Sequence, residues 1–253
     1  MGDKERIVVW VSAGAASAVA AKLTLRHEPD AVLAYCETGG EHPDNERFLA
    51  DISDWCARPI ERLRSERYAS TWDVYERRHY LAGIDGAICT VELKVMPRIA
   101  WQRPTDIHVF GYTADGPDVT RAKRLRENYF EMAIRTPLID LGVTKEACLA
   151  LIERAGIKLP VLYGLGFANN NCIPCVKATS PNYWANVRKH FPHEFARMAK
   201  LARSLDVRLC RIDDEREFID DIPADWPTTE AIAPSCDFLC HIAEQDLQNA
   251  AVN

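Results

Sequence analysis

Apolar and polar positions along the chain fall into short apolar runs that alternate with longer stretches of helical spacing. Ile7 to Val11 is a nearly continuous apolar run rich in β-branched residues, the pattern of a strand covered on both faces of a parallel sheet. Ala31–Cys36 and Ile107–Tyr112 predict further strands, as do shorter runs at Ile60–Leu63 and near Ala133–Pro137. Between them, Ala-rich sequence runs on from the small-residue segment Ser12–Ser17 to Leu25, and Ala is the best helix former. His42 to Trp55 places Phe48, Ile52 and Trp55 on one helical face. Thr71–Arg78 predicts a helix capped by Thr71, and Cys89–Pro97 one that ends at its proline. Thr120–Tyr129 predicts a basic helix, and Lys145–Ala155 one capped by Thr144 and closed by Gly156. Leu81–Ile88, with two glycines, predicts a loop.

Strands alternating with helices of this length imply right-handed crossovers, hence an α/β fold: an open, mostly parallel twisted sheet with helices on both faces. In such sheets ligands lie beyond the carboxyl ends of the strands. Four segments converge there: Ser12–Ser17, Glu37–Gly40, Tyr112–Arg121 and the loop near Cys89. The small residues Ser12, Ala13, Gly14, Ala15, Ala16 and Ser17 let an anion approach the N–H groups at a helix start, where partial positive charge also sits. The segment has one glycine and no Gly-Lys pair, so it is neither G-x-x-x-x-G-K-[ST] nor G-x-G-x-x-G. An adenine nucleotide is the expected ligand, with Glu37 at a strand end where an acid can meet a ribose. Helical stretches at Tyr183–His190 and Glu194–Leu205 complete a nucleotide-binding body, residues 1–205. The acidic, irregular residues 206–253 are expected to fold back on its sheet edge as a C-terminal extension rather than form a second domain.

A chain of 253 residues is long enough to bury ~75% of its unfolded surface. A net charge of −6 argues against a protein that coats nucleic acid non-specifically through a broad basic face, while leaving room for a local basic pocket. The charged segment Gly2–Arg6 leads straight into a strand, so no signal peptide is expected. No apolar run approaches the ~20 residues that span a bilayer. A cytoplasmic address, no membrane partner and a homo-oligomer are the expectations.

Nine cysteines, an odd number, read as thiols, metal ligands or catalytic groups rather than structural disulfides. Cys172-x-x-Cys175 brings two sulfurs to one point, as a redox dithiol, a zinc site or an iron–sulfur site requires. Cys236 and Cys240, four apart, share a face if helical. Two quartets are open: Cys172, Cys175, Cys236 and Cys240, or Cys89 with Cys172, Cys175 and one tail cysteine, the other tail cysteine serving as a nucleophile. Cys36, Cys56, Cys148 and Cys210 fall in apolar elements and read as core. Arg121, Lys123, Arg124 and Arg126 open a helix just after a strand end. Most of such a run is a solvated face, but Arg121, with Arg124, can offer a fork-shaped donor to phosphate or sulfate. Lys94 joins the candidates through its place near Cys89.

Taken together, these segments resemble the phosphoadenosine phosphosulfate (PAPS) reductase family, within the adenine-nucleotide α-hydrolase-like fold. Ser12-Ala-Gly-Ala-Ala-Ser17 looks like its altered pyrophosphate loop (PP-loop), without the Asp of ATP pyrophosphatases. Cys36-Glu-Thr38-Gly39, with His42-Pro43 and Arg47-Phe48, is similar to its Asp-Thr-Gly motif and the helix behind it. Gly111 to Thr120-Arg121-Ala122 looks like the strand and arginine helix that hold the phosphosulfate end. Cys89-Thr-Val-Glu-Leu-Lys94 with Pro97, and Leu159-Pro160, Tyr163, Gly166 and Cys172-x-x-Cys175, resemble the two cluster segments of iron–sulfur members. The match runs in consistent order from Ile7 to Val176. Two departures stand out. Ile88-Cys89 replaces a pair of adjacent cysteines, and Ser235-Cys236-Asp-Phe-Leu-Cys240-His241 only loosely echoes the family's Glu-Cys-Gly-Leu-His.

The resemblance implies an oxidoreductase of the adenylyl-sulfate or PAPS reductase type, binding an adenylyl sulfate through Ser12–Ser17, Glu37, Thr38, Gly39, Lys94, Gly111, Arg121 and Arg124. It implies Cys236 as the nucleophile and Cys89, Cys172, Cys175 and Cys240 as ligands of a [4Fe-4S] cluster, with zinc as the alternative. A thioredoxin-like reductant would be its partner. A sulfur-transfer enzyme thiolating tRNA or DNA, and a nucleotide-binding regulator without turnover, are the other readings.

Overall fold

In the computed structural model, which describes residues 5–83 and 86–231, the first apolar run is β1 (Ile7–Val11) and the Ala-rich stretch is α1 (Ala15–His27). The chain continues through β2 (Val32–Cys36), α2 (Asp44–Cys56), β3 (Ile60–Leu63) and α3 (Thr71–Arg78). A minimal antiparallel pair, β4 (Ala82–Gly83) and β5 (Gly86–Ala87), occupies the segment read as a loop. Next come α4 (Ile88–Thr90), a π-helical turn (Val91–Val95) and α5 (Met96–Trp101), then β6 (Ile107–Phe110), α6 (Gly116–Asn128) and β7 (Ala133–Arg135). The remainder is α7 (Pro137–Asp140), α8 (Lys145–Arg154), α9 (Val161–Gly164), α10 (Pro181–His190), α11 (Pro192–Ser204) and the hairpin β8 (Cys210–Ile212) and β9 (Glu215–Glu217).

The five main strands form one parallel sheet in the order β3-β2-β1-β6-β7. Alternation sends Val9, Val11, Leu33, Tyr35 and Val109 to one face, into a core with α1, α2 and α8. Val8, Trp10, Ala34, Cys36 and Leu63 go to the other, where Trp101 of α5 covers them. Each fully buried aliphatic side chain here contributes about 1.5–3 kcal/mol. Helix α1 is Ala-rich because it is buried along most of its length: Ala18, Val19, Ala20 and Ala21 have no exposed surface, and small side chains let it lie close to sheet and helix alike. Arg6 grips Asp106 with two bonds of 2.9 and 2.7 Å, fastening the start of β1 to that of β6.

A second hydrophobic centre gathers Tyr75, Phe167, Trp184, Val187, Met198 and Ile219 around α10 and α11. Of the extension expected on the sheet edge, the described residues pack here. Its described part, residues 206–231, carries β8 and β9, which form their own two-stranded sheet, and buries Leu209, Cys210 and Ile222 in this second centre. Apolar side chains spaced along the acidic stretch make that packing possible.

Two local expectations change. Ser70, not Thr71, caps α3: its hydroxyl accepts from the Asp73 N–H at 3.2 Å, and adjacent hydroxyl residues make that choice illegible in sequence. The helix through Cys89 also runs past Pro97 to Trp101. The widened turn Val91–Val95 precedes the proline and lets the chain pass a residue with no N–H to give. Among the described residues no helix is long and apolar enough to cross a membrane.

Candidate functional site

Chain direction across the sheet reverses between β1 and β6, and beyond their carboxyl ends lie two adjoining cavities of about 410 and 380 Å³. Thr90, Lys94 and Tyr112 belong to the walls of both. We call the larger the sulfur cavity, because Cys89, Cys172 and Cys175 all line it. The smaller, the helix-end cavity, is lined by Ser12, Ser17, Gly111 and a set of aromatic rings.

The turn that opens the helix-end cavity is built from the small residues themselves. The Ser12 N–H donates to Ser17 Oγ at 3.0 Å, and that hydroxyl donates to the Gly14 carbonyl at 2.9 Å. Ala13 takes φ +53° and its carbonyl accepts from Asn170 Nδ2 at 2.6 Å. The Ala15 N–H donates to the Tyr163 hydroxyl at 3.2 Å, while the first-turn N–H groups of Ala16 and Ser17 have no partner among the described residues. Gly111 is where β6 lets this turn come close: a Cβ there would stand 2.6 Å from Ser17 Cα and 2.8 Å from the Ala16 carbonyl oxygen.

The sulfur cavity is assembled from three separate segments. The Cys172–Cys175 loop, which contains a cis Ile173–Pro174 bond, is pinned when the Ile173 N–H donates to the Gly40 carbonyl at 2.9 Å. Cys172 Sγ lies 3.0 Å from Thr38 Oγ1, and the Tyr75 hydroxyl donates to Cys89 Sγ at 3.3 Å. The Cys175 N–H donates to the Tyr183 hydroxyl at 2.6 Å. Burial pushes the Cys172 thiol up to about 12, opposed by the nearby Lys94 ammonium, and burial raises Cys175 as well. Lys94 is held above its ordinary value: burial works against its charge, but Cys172, Glu41, Cys36 and Cys175 around it outweigh that cost.

Of the candidate anion ligands, Ser12, Ser17, Gly111 and Lys94 line the helix-end cavity, and Thr38, Lys94 and Arg121 the sulfur cavity. Arg121 is held by Asp118 at 2.9 Å and remains exposed. Ala13 and Ala15 are buried in the core and shape the turn through their backbone. Gly14 precedes the first residue of α1. Gly39, at φ +60°, serves a close approach, since a Cβ there would meet the Ala69 carbonyl oxygen at 2.3 Å. Two candidates stand away from both cavities. Glu37 pairs with Arg62 of the edge strand β3 and with Arg64 just beyond it, and lines neither cavity. Arg124 is exposed on α6 and lines neither cavity. Cys36, Cys56, Cys148 and Cys210 are buried as expected, and burial raises each thiol. Cys236 and Cys240 lie outside the described residues.

Three thiols facing one cavity are the donor chemistry of an iron–sulfur or zinc site. Among the described residues, however, no three His, Cys, Asp or Glu side chains are drawn together tightly enough to hold a metal ion. Cys89, Cys172 and Cys175 thus offer the donor chemistry around one cavity without being gathered into a metal-binding cluster.

Sequence reasoning missed three residues. Asn170 ties Ala13 to Asn45, bonding Asn45 Oδ1 at 2.7 Å, and its run of asparagines reads only as a turn. Tyr75 sits among the sulfurs but looks like one more helix-face aromatic. Arg98 lines the helix-end cavity; its spacing four residues from Lys94, on one helical face, is the signal that could have found it. Compared with known proteins, the chain matches no protein-family model and no curated protein.

Proposed function

We propose that the protein binds an adenylyl sulfate in the helix-end cavity and reduces or transfers its sulfur through a cysteine thiolate, as a PAPS or adenylyl-sulfate reductase of the adenine-nucleotide α-hydrolase-like fold. The observation that carries this reading is the shared wall. Lys94 stands between a helix start with unpartnered N–H groups and a cavity lined by three sulfurs. A nucleotide whose anionic end meets the first cavity is thereby brought beside the sulfur chemistry of the second.

In the proposed reaction, the Cys236 thiolate attacks the sulfate sulfur. An S–S bond forms, the S–O bond to the phosphate breaks, and AMP (or its 3′-phosphorylated form) departs with the electron pair. A thioredoxin-like dithiol then attacks the Cys236 sulfur, releasing sulfite, and is itself oxidised to a disulfide as Cys236 regains its proton.

Cys89, Cys172 and Cys175 would hold three corners of a [4Fe-4S] cluster, or zinc in its place, with Cys240 as the fourth ligand. Such a group would supply sulfur-ligated metal chemistry beside the sulfate end, its metal charge offset by the thiolates that hold it. Around it the chain's own residues bind and orient: Lys94 neutralises anionic charge, and Thr38 and Tyr75 hold sulfurs by hydrogen bonds. Cys236→Ser should leave nucleotide binding intact and abolish sulfite release; unchanged turnover would remove Cys236 from the mechanism. Anaerobic purification followed by iron, sulfide and zinc analysis decides the identity of the bound group.

A further inference from the structure

Arg98 is only 6% exposed, yet its Nε and Nη2 are buried with no acceptor among the described residues. The ring of Tyr129 lies 4.5 Å from the guanidinium. The buried acids Glu92 and Asp106 are paired with other arginines, Glu92 with Arg78 at 3.2 Å and Asp106 with Arg6 at 2.7 Å. A guanidinium cannot escape burial by losing its proton, so a buried and unmatched one is a standing cost that folding alone does not explain. Arg98 lines the helix-end cavity on the same wall as Lys94, and Ser12 and Ser17 bring the unpartnered start of α1 to that cavity. Four aromatic rings, Trp10, Phe110, Tyr112 and Tyr129, share the lining with aliphatic and small side chains. A cavity of this kind matches a flat ring system attached to an anionic group.

We infer that Arg98 is an anion-binding residue of the helix-end cavity, and that the cavity selects aromatic ligands carrying a phosphate or sulfate over their uncharged counterparts. A guanidinium fork can meet two oxygens of such a group at once, which Lys94, engaged with the sulfurs and Glu41, is less placed to do. The inference deepens the nucleotide reading and rests on it only for the identity of the ring.

The test uses the full chain, with AMP, adenosine and inorganic sulfate as probes, read by calorimetry and thermal melting. Wild type should bind AMP at least tenfold more tightly than adenosine. Arg98→Met should remove that preference while leaving adenosine affinity unchanged, and should melt no lower than wild type without ligand, because it deletes an unmatched charge. Arg98→Lys should keep part of the preference. If neither AMP nor adenosine binds, but sulfate raises the melting temperature of wild type and not of Arg98→Met, the anion site stands and the adenine-nucleotide reading falls. If wild type and Arg98→Met respond alike to AMP and to sulfate, the inference is overturned. Should Arg98→Met fail to fold, Arg98→Lys decides: a several-fold loss of AMP or sulfate response supports it, and an equal response overturns it.

Discussion

Ala13 carries a left-handed backbone and a fully buried methyl, and the two pull in opposite directions. The conformation costs an L-residue roughly 1–2 kcal/mol. Replacing it with glycine relieves that, but gives up about 0.8 kcal/mol of burial and a further ~0.4–1 kcal/mol through the freer unfolded chain. Ala13→Gly should therefore change stability by less than about 1 kcal/mol, while Ala13→Val, β-branched in the same conformation, should cost about 3 kcal/mol; urea titration measures both. His108 makes a second prediction. Its Nδ1 accepts from the Trp10 indole at 3.0 Å, and burial, helped by the Arg98 charge, holds it down to about 4 from an ordinary value near 6.5. Because the folded state takes up its proton later than the unfolded state, this contribution is complete above pH 6.5 and is lost as pH falls toward 4. The loss should approach about 3 kcal/mol at pH 4, at 1.36 kcal/mol per pH unit. His108→Gln should flatten the decline between pH 6.5 and 4.5 in denaturation curves, and an unchanged slope would assign it to other groups. Little of this was legible beforehand. An alanine among small residues announces no left-handed turn, and a lone arginine after a proline reads as solvent-facing until its neighbours are known.

At the level of elements, the close approach of α1 to the end of β6 is set by one glycine. Gly111→Ala should force the first turn of α1 outward, costing about 1–3 kcal/mol and weakening AMP binding by at least tenfold. Retained affinity would show that the turn tolerates displacement. Elements themselves were the most readable part of the sequence. Ile60–Leu63 and Thr71–Arg78 lie where the pattern put them, and Thr144 caps α8 through the Ala147 N–H while Gly156 closes it at φ +74°. Each carries its signal locally, as periodicity or a cap. The helix across Pro97 was not readable, because proline predicts a stop and only packing of Trp101 against the outer face of β1 favours continuing.

Over the whole molecule, the parallel sheet followed from the alternation of strand and helix patterns, and the second hydrophobic centre did not. Its members are scattered from Tyr75 to Ile222, and no local pattern reports which distant residues will share a core. Two of the sulfurs lie where these two halves meet, since the Cys172–Cys175 loop is held from one side by Gly40, through Ile173, and Thr38, and from the other by Tyr183. A metal group spanning them would cross-brace both. Anaerobically prepared protein should then melt about 5–10 °C above chelator-treated protein, a difference worth about 3 kcal/mol at saturating occupancy. Cys172→Ser/Cys175→Ser should lose the difference, and equal melting of loaded and treated wild type would argue against any metal at this seam.

Lys94 is a single ammonium serving two neighbours. Burial keeps the thiols beside it protonated, so in metal-free protein an anion in the helix-end cavity meets the ammonium unopposed. A metal that displaces the thiol protons leaves thiolates whose summed charge exceeds its own, so metal and anion then compete for Lys94, each lowering the affinity of the other by one common factor whichever is filled first. Titrating AMP into chelated and metal-loaded protein would read that rivalry directly as weaker binding in the loaded form.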